Sequence, residues 1–350
     1  MPIPHDLLPH ATRMFAEAAE APAAVARQLS ANAATMRALA AMLRALEPSI
    51  IFTCARGSSD HAATFAKYLF ETQLGVPTIS QAPSISSIYR KPLLHMAGQP
   101  FLCISQSGKS PDLLLSARAA RDAGALVIAL VNDAASPLAE IAEVVVPLHA
   151  GPETSVAATK SYIASLTALA QLTAEWSDNA GLRAAVAVLP EQQAAAWDED
   201  WSLAVELFAD TNSLFVLGRG LTLGVAQEAA LKFKETCGIH AEAFSIAEVA
   251  HGPMALVKPG FPVLVLPPLD KAVAGLEATL DKFAARGAKI AVAGGGYAET
   301  LGLPLPEGLH PVTGPIAMAQ AFYRLVNALA VRRGYNPDCP PLLSKVTETR

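Results

Sequence analysis

Charge and aromatic rings are scarce in this chain. Charged residues make up 16% and aromatic residues 6% of its 350 residues, and the formal net charge is -5. That balance offers no basic surface to nucleic acid or to an anionic membrane. No apolar run approaches the roughly 20 residues that span a bilayer. The opening MPIPHDLLPHATRMF has an early Asp and no apolar core, so it does not read as a secretory signal. Cysteine is rare as well: four residues, Cys54, Cys103, Cys237 and Cys339, with no CxxC spacing. Cys54 and Cys103 fall in apolar, strand-like runs and are expected as reduced core residues, which points to the cytoplasm. HExxH is absent, and neither a metal nor a cofactor is expected.

What the chain does have is apolar mass, with hydrophobic residues at 52%. Its length suits two domains with ample cores. Ala dominates, which favours helices. Met14–Leu46 is Ala-rich and periodic and predicts one or two helices, with Pro22 as a start and Pro48 as a stop.

The most informative stretch is FLCISQSGKSPDLLLSAR. Phe101–Ile104 is a buried strand, and Pro111-Asp112 opens a helix with Ser110 as its N-cap. Between them stand Ser105, Gln106, Ser107, Gly108, Lys109 and Ser110. A strand ending in such a turn presents free backbone N–H groups and a positive helix terminus, which together favour an anion such as phosphate. An ordinary capped βα loop remains the alternative, although a cap needs one Ser and not three with a Gln. The GxxxxGK[ST] spacing of a nucleotide P-loop is absent, so a phosphorylated small molecule is the better guest. Ser49–Cys54 is another strand, and it leads into a second hydroxyl turn, Arg56-Gly57-Ser58-Ser59. Further strands are predicted at Val76–Ser80, Ala125–Asn132 and Val144–Leu148. Alternation with helices argues a parallel sheet covered on both faces.

A long helix is predicted from PETSVAATK onward, and Pro190 breaks the helical region that follows. The pattern then restarts. Ser213–Leu217 with Gly218-Arg219-Gly220 echoes the first strand and its turn. Val263–Leu266 echoes Phe101–Ile104, and Gly287-Ala288 echoes Gly124-Ala125 at the same offset that separates Arg56 from Arg219. The turn after the second copy of the central strand reads PPLDKAVA and has lost the hydroxyls, so one anion site is expected, in the first unit. GRGLTLG resembles a dinucleotide fingerprint, but its third Gly falls one residue late and no acidic residue closes the next strand.

Two further segments carry chemistry. Val225–Cys237 is a predicted helix with Glu228, Lys232 and Glu235 on one face at i, i+4 and i+7. This could be a solvated face with weak ion pairs. Its apolar and small neighbours instead suggest a carboxylate held beside a cation at a cleft, able to move a proton. GIHAEAFSIAEVAHGPM lacks clear periodicity and holds His240, Glu242, Glu248 and His251, the last before Gly-Pro at a loop tip. The Pro-rich end, NPDCPPLLSKVTETR, is expected to dock through Leu342, Leu343 and Val346, carrying Lys345.

Taken in order, SQSGKSPD, ETSVAATK, LGRG, EAALKFKE, HAEAFSIAEVAHGP and LSKVTE resemble the sugar isomerase (SIS) double-domain family. The likeness covers nearly all of Ser49–Glu348 and is strongest to the isomerase half of glucosamine-6-phosphate synthase. It implies an α/β fold of two tandem SIS domains, each a flavodoxin-like parallel sheet flanked by helices. The domains are expected at 47–195 and 196–335, after an N-terminal helical segment (1–46) and before a tail (336–350). No glutaminase domain is recognised, so the resemblance implies an aminosugar-phosphate deaminase, glucosamine 6-phosphate giving fructose 6-phosphate and ammonia. A synthase-type aminotransferase using other ammonia, a related sugar substrate, and a non-catalytic phosphosugar sensor stay open.

By resemblance, Ser59, Ser105, Gln106, Ser107 and Ser110 are the phosphate cradle, with Ser58 beside them in the same turn. Glu235 moves the proton between C1 and C2. His251 opens the ring and is supplied by the neighbouring subunit of a homodimer. Lys345 forms an imine with the ketose, and Lys232 and Glu228 surround the open-chain sugar. Lys109 departs from the synthase pattern, which has Glu there, and adds a cation beside the phosphate.

Overall fold

The computed structural model of the chain describes residues 7–345. They form two compact units. One comprises Ala23–Glu153 and Lys160–Val188, together with the chain from Ser344. The other comprises Leu189–Leu343 and Thr154–Thr159, together with the chain up to Pro22.

Helices α1 (Arg13–Ala19) and α2 (Ala21–Leu46) lead into the first unit's alternating elements. These are β1 (Ile51–Cys54), α3 (Ser58–Gln73), β2 (Thr78–Ser80), α4 (Pro83–Ser87), β3 (Pro100–Ser105), α5 (Pro111–Asp122), β4 (Leu126–Val131), α6 (Pro137–Ile141) and β5 (Val144–Pro147). Helices α7 (Lys160–Trp176) and α8 (Ala180–Ala187) complete it. All five strands are parallel, in the order β2-β1-β3-β4-β5. β3 is buried along its whole length, as an interior parallel strand covered on both faces must be. Cys54 pairs with Cys103 across β1 and β3, and both are buried free thiols. Burial pushes the Cys54 thiol up to about 12, which makes it inert packing and not a nucleophile.

The second unit holds α9 (Leu189–Asp198), α10 (Ser202–Phe208), β6 (Ser213–Gly218), α11 (Leu223–Cys237), β7 (His240–Ser245), β8 (Pro262–Val265), α12 (Leu276–Ala284), β9 (Lys289–Ala293), β10 (Leu301–Leu303) and α13 (Gly314–Arg332). Its sheet is also parallel, in the order β10-β9-β8-β6-β7. Read from β7, that is the order of the first sheet, so the repeat extends to topology. It extends to local bonding too. Gly98 N–H donates to the carbonyl of Gly124 at 2.9 Å, and Gly260 N–H donates to that of Gly287 at 2.7 Å. Both acceptor glycines have positive φ, 82° and 74°. A Cβ at either would crowd backbone, Ala97 Cα at 3.3 Å or Pro259 Cα at 3.2 Å, so Gly is required twice for one reason.

Four expectations are corrected. The helix expected from Pro152 begins only at Lys160, where preceding N–H groups are taken by a carboxylate. Thr154 and Ser155 N–H donate to Glu17, while Glu153 accepts from Ser161 N–H in the first turn of the helix itself. The aperiodic stretch after Gly238 contains an edge strand, β7; only its second residue is fully buried, so no apolar alternation announces it. Ser110 does occupy the N-cap of α5 beside Pro111, yet its side chain makes no capping bond. The chain end is not held by leucines. Leu342 is fully exposed and Leu343 half-exposed, while Val346 lies outside the described residues. The buried anchor is Asp338, whose carboxylate accepts from Arg13 N–H at 2.9 Å and Met14 N–H at 2.8 Å, closing the first turn of α1.

Candidate active site

Strand order reverses between β1 and β3, and in open parallel sheets of this order ligands sit outside the carboxyl ends of the strands at that point. Both hydroxyl turns lie there. Ser58 and Ser59 open α3 behind its N-cap Gly57, and Ser105 to Ser110 link β3 to α5. Two helix N-termini follow adjacent strands, so their unpaired N–H groups and dipoles favour an anion.

The second turn is held from behind. Gly108 N–H donates to Ser105 Oγ at 3.0 Å, and Lys109 N–H approaches Ser107 Oγ at 3.4 Å. Leu138 N–H donates to the Gly108 carbonyl at 3.2 Å. Among the described residues, the side chains of Ser59, Gln106 and Ser110 carry no protein hydrogen bond. Lys109 Nζ pairs with Asp133 Oδ2 at 3.3 Å, both largely exposed.

Gly108 has φ +63°, and a Cβ there would meet Ser136 Oγ at 2.2 Å. Gly108→Ala is therefore expected to cost about 1–3 kcal/mol by overpacking, beyond the intrinsic left-handed penalty. Gly98→Ala is the control, with φ +72° and nothing within 4 Å. Urea denaturation separates the two, and equal losses would show that the Ser136 contact is not what fixes the turn.

In the other unit, α11 brings Glu228, Lys232 and Glu235 together, and they are not a wet surface. The side chains of Glu228 and Lys232 are each 1% exposed, whereas that of Glu235 is 23% exposed. Lys232 Nζ lies 3.3 Å from Glu228 Oε1 and 2.5 Å from Glu235 Oε2. Tyr323, on α13, donates its hydroxyl to Glu228 Oε1 at 3.0 Å. Burial by itself would lower the pKa of Lys232. The Glu228 and Glu235 carboxylates outweigh that and raise it above an ordinary lysine, so the ammonium stays charged. Glu235 alone of the three reaches a cavity of about 530 Å³, lined also by Leu231, Lys234, Tyr335, Pro341 and Leu343.

His251 is exposed and closes a 3-10 turn, Glu248–Ala250, just before Gly252 at φ 138°. Its position at a loop tip follows from that glycine and from Pro253. Lys345 Nζ lies 3.3 Å from Glu153 Oε2. Glu153 is buried and also accepts from Ser161 Oγ at 2.6 Å and Ser161 N–H at 3.1 Å. The lysine is thus tethered to an anionic group inside the fold. Sequence reasoning passed over Tyr323 and Glu153 as individual residues. Glu153 stood inside a quoted motif, and Tyr323 gave no signal on its mostly apolar helix. Among the described residues no group of three or more His, Cys, Asp or Glu is arranged to hold a metal, and no helix is long and apolar enough to cross a membrane.

The model of the SIS domain matches residues 47–174 and 207–301. Glutamine–fructose-6-phosphate aminotransferase (isomerizing) of Thermococcus kodakarensis is 33% identical over 350 aligned positions, covering 95% of this chain. The chain spans 57% of the length of that relative. A crystal structure from Silicibacter pomeroyi, described as a phosphosugar isomerase, superposes with a TM-score of 0.89 at 45% identity, covering 93% of this chain and all of that one. The C-terminal domain of glucosamine-fructose-6-phosphate aminotransferase from Francisella tularensis gives 0.86 at 26% identity, covering 97% of this chain and all of that domain.

Proposed function

Since the chain belongs to the SIS domain family, we propose that it is a phosphosugar-isomerase-type enzyme acting as an aminosugar-phosphate deaminase, converting glucosamine 6-phosphate to fructose 6-phosphate and ammonia. The observation that carries this reading is the Glu228–Lys232–Glu235 set, in which Glu228 and Lys232 are buried and Glu235 lines the cavity of about 530 Å³. A protein that merely sensed a phosphosugar would need the hydroxyl turns but not a half-buried carboxylate held against a buried ammonium.

The roles follow from the chemistry. His251, whose imidazole has one ring nitrogen to accept a proton and another to donate one, moves a proton from the anomeric hydroxyl to the ring oxygen and opens the sugar. Glu235 removes the proton from C2 of the open aldose and returns it to C1, which leaves an imine at C2. Lys232 fixes the carboxylate and offsets charge developing beside it. Attack on C2 by water, or first by the Lys345 amine and then water, expels ammonia and leaves the ketose. The hydroxyls of Ser58, Ser59, Ser105, Ser107 and Ser110, with the Gln106 amide, hold the 6-phosphate. No step calls for redox chemistry, and the buried thiols suit a reducing cytoplasm.

A homodimer with shared sites is part of this reading, with His251 contributed across the subunit boundary. A mixture of His251→Ala and Glu235→Gln chains is then expected to recover about one quarter of parental activity per chain pair through one intact site in the mixed dimer. No recovery after confirmed subunit exchange would sink the shared-site arrangement.

The hydrolytic direction takes water as its second substrate, whereas synthesis takes ammonia. The competing reading, a synthase-type aminotransferase, is favoured by the name of the 33% identical relative. Isotope labelling separates them. With ¹⁵N-glucosamine 6-phosphate the deaminase releases ¹⁵N-ammonium; net appearance of ¹⁵N-glucosamine 6-phosphate from fructose 6-phosphate and amide-labelled glutamine would favour the synthase.

A further inference from the structure

The turn after β1 holds a cation to which the reading above gives no task. Arg56 directly precedes Gly57, the N-cap of α3. Its Nε and Nη2 both donate to Asp112 Oδ2, at 2.9 and 2.7 Å. Asp112 stands in the first turn of α5, two residues beyond Ser110. Its side chain is 0% exposed, while that of Arg56 is 48% exposed.

The pair is lopsided. A buried carboxylate at the start of α5 would repel an anion there, and the guanidinium cancels it. Because Asp112 engages only one edge of the fork, Nη1 is left with no protein partner among the described residues. The guanidinium is thereby fixed at the end of the sheet where β1 and β3 diverge, reaching from the turn after β1 to the first turn of α5. Lys109 differs, since its partner Asp133 is itself exposed and its stem is flexible.

We propose that Arg56, locked in place by Asp112, binds the substrate's phosphate and selects a phosphate monoester over the unphosphorylated sugar. This rests on the reading of the hydroxyl turns as a phosphosugar cradle. Arginine suits the task because its planar fork can hold a carboxylate on one edge and present donors to a phosphate with the rest.

The test compares parent protein, Arg56→Lys and the double variant Arg56→Gln/Asp112→Asn, which removes the pair without stranding a buried charge. Calorimetric binding of glucosamine 6-phosphate and of inorganic phosphate is measured at two salt concentrations, with KM and kcat for turnover. The double variant is expected to lose about tenfold to a hundredfold in affinity for both phosphate probes, with a matching rise in KM. Its kcat should stay within about threefold of parent, and salt should weaken its binding less than that of parent. Arg56→Lys, which keeps the charge, is expected to lose severalfold and checks the result independently of the double variant's folding. Unchanged phosphate affinity in folded variants overturns the inference and leaves the cradle standing. So does a fall in kcat with KM unchanged, which is what a merely structural role gives. A parent that binds neither probe overturns the cradle reading and the inference with it.

Discussion

Lys232→Met is expected to destabilise its unit by about 3–5 kcal/mol, the cost of breaking a buried ion pair from one side. The size comes from what is left behind. Glu228, 1% exposed, would retain the Tyr323 hydroxyl at 3.0 Å but lose the ammonium at 3.3 Å. A carboxylate in that position must either stay charged without its counter-ion or take up a proton. Lys232→Met/Glu228→Gln removes both charges at once and is expected to recover most of the loss. Urea denaturation of the two variants measures this. A single variant within about 0.5 kcal/mol of parent would show that the Glu228 charge is not sustained by Lys232.

Glu235→Gln is expected to lower kcat by about 10²–10⁴-fold, the usual worth of a positioned acid–base group. Affinity for the sugar phosphate should be little changed, because the proposal assigns the phosphate to the hydroxyl turns and not to Glu235. The substitution keeps the side chain's size and its place on the cavity wall while removing its capacity to carry a proton. Stability should fall less than in Lys232→Met, because Glu235 is 23% exposed and Glu228 remains to balance the lysine. Steady-state kinetics with calorimetric binding separates the terms. A variant with parental kcat would remove Glu235 from the proton transfer and take with it the mechanism proposed here.

The features most legible in the sequence were those written in local chemistry. Ser105-Gln106-Ser107-Gly108 after an apolar run announced both the end of β3 and the turn into α5, because strand, turn and helix each leave a short signature. Repetition of Gly-Ala before β4 and β9 betrayed the duplicated topology, and the structure shows the same glycine bond closing both turns. Glu228, Lys232 and Glu235 were legible as one helix face at a cleft, but the near-complete burial of Glu228 and Lys232 was not. Burial depends on α13 and its Tyr323, distant in sequence. β7 escaped because an edge strand with one fully buried residue carries almost no hydrophobic alternation. The late start of α7 was hidden for a similar reason. Thr154 and Ser155 have acceptable helical propensities, and only Glu17, supplied by the tertiary fold, directs their N–H groups elsewhere. The chain end shows the limit of reading apolarity as docking, since Asp338 anchors it and Leu342 faces water.

The most direct measurement is ammonia release from glucosamine 6-phosphate by the purified protein, with fructose 6-phosphate followed in the same sample by NMR. Ammonia and fructose 6-phosphate in equal amounts, formed at least about a hundredfold more slowly with Glu235→Gln, is the predicted result. Saturable binding of the sugar phosphate with neither product formed would contradict the deaminase account and leave a phosphosugar-binding protein in its place.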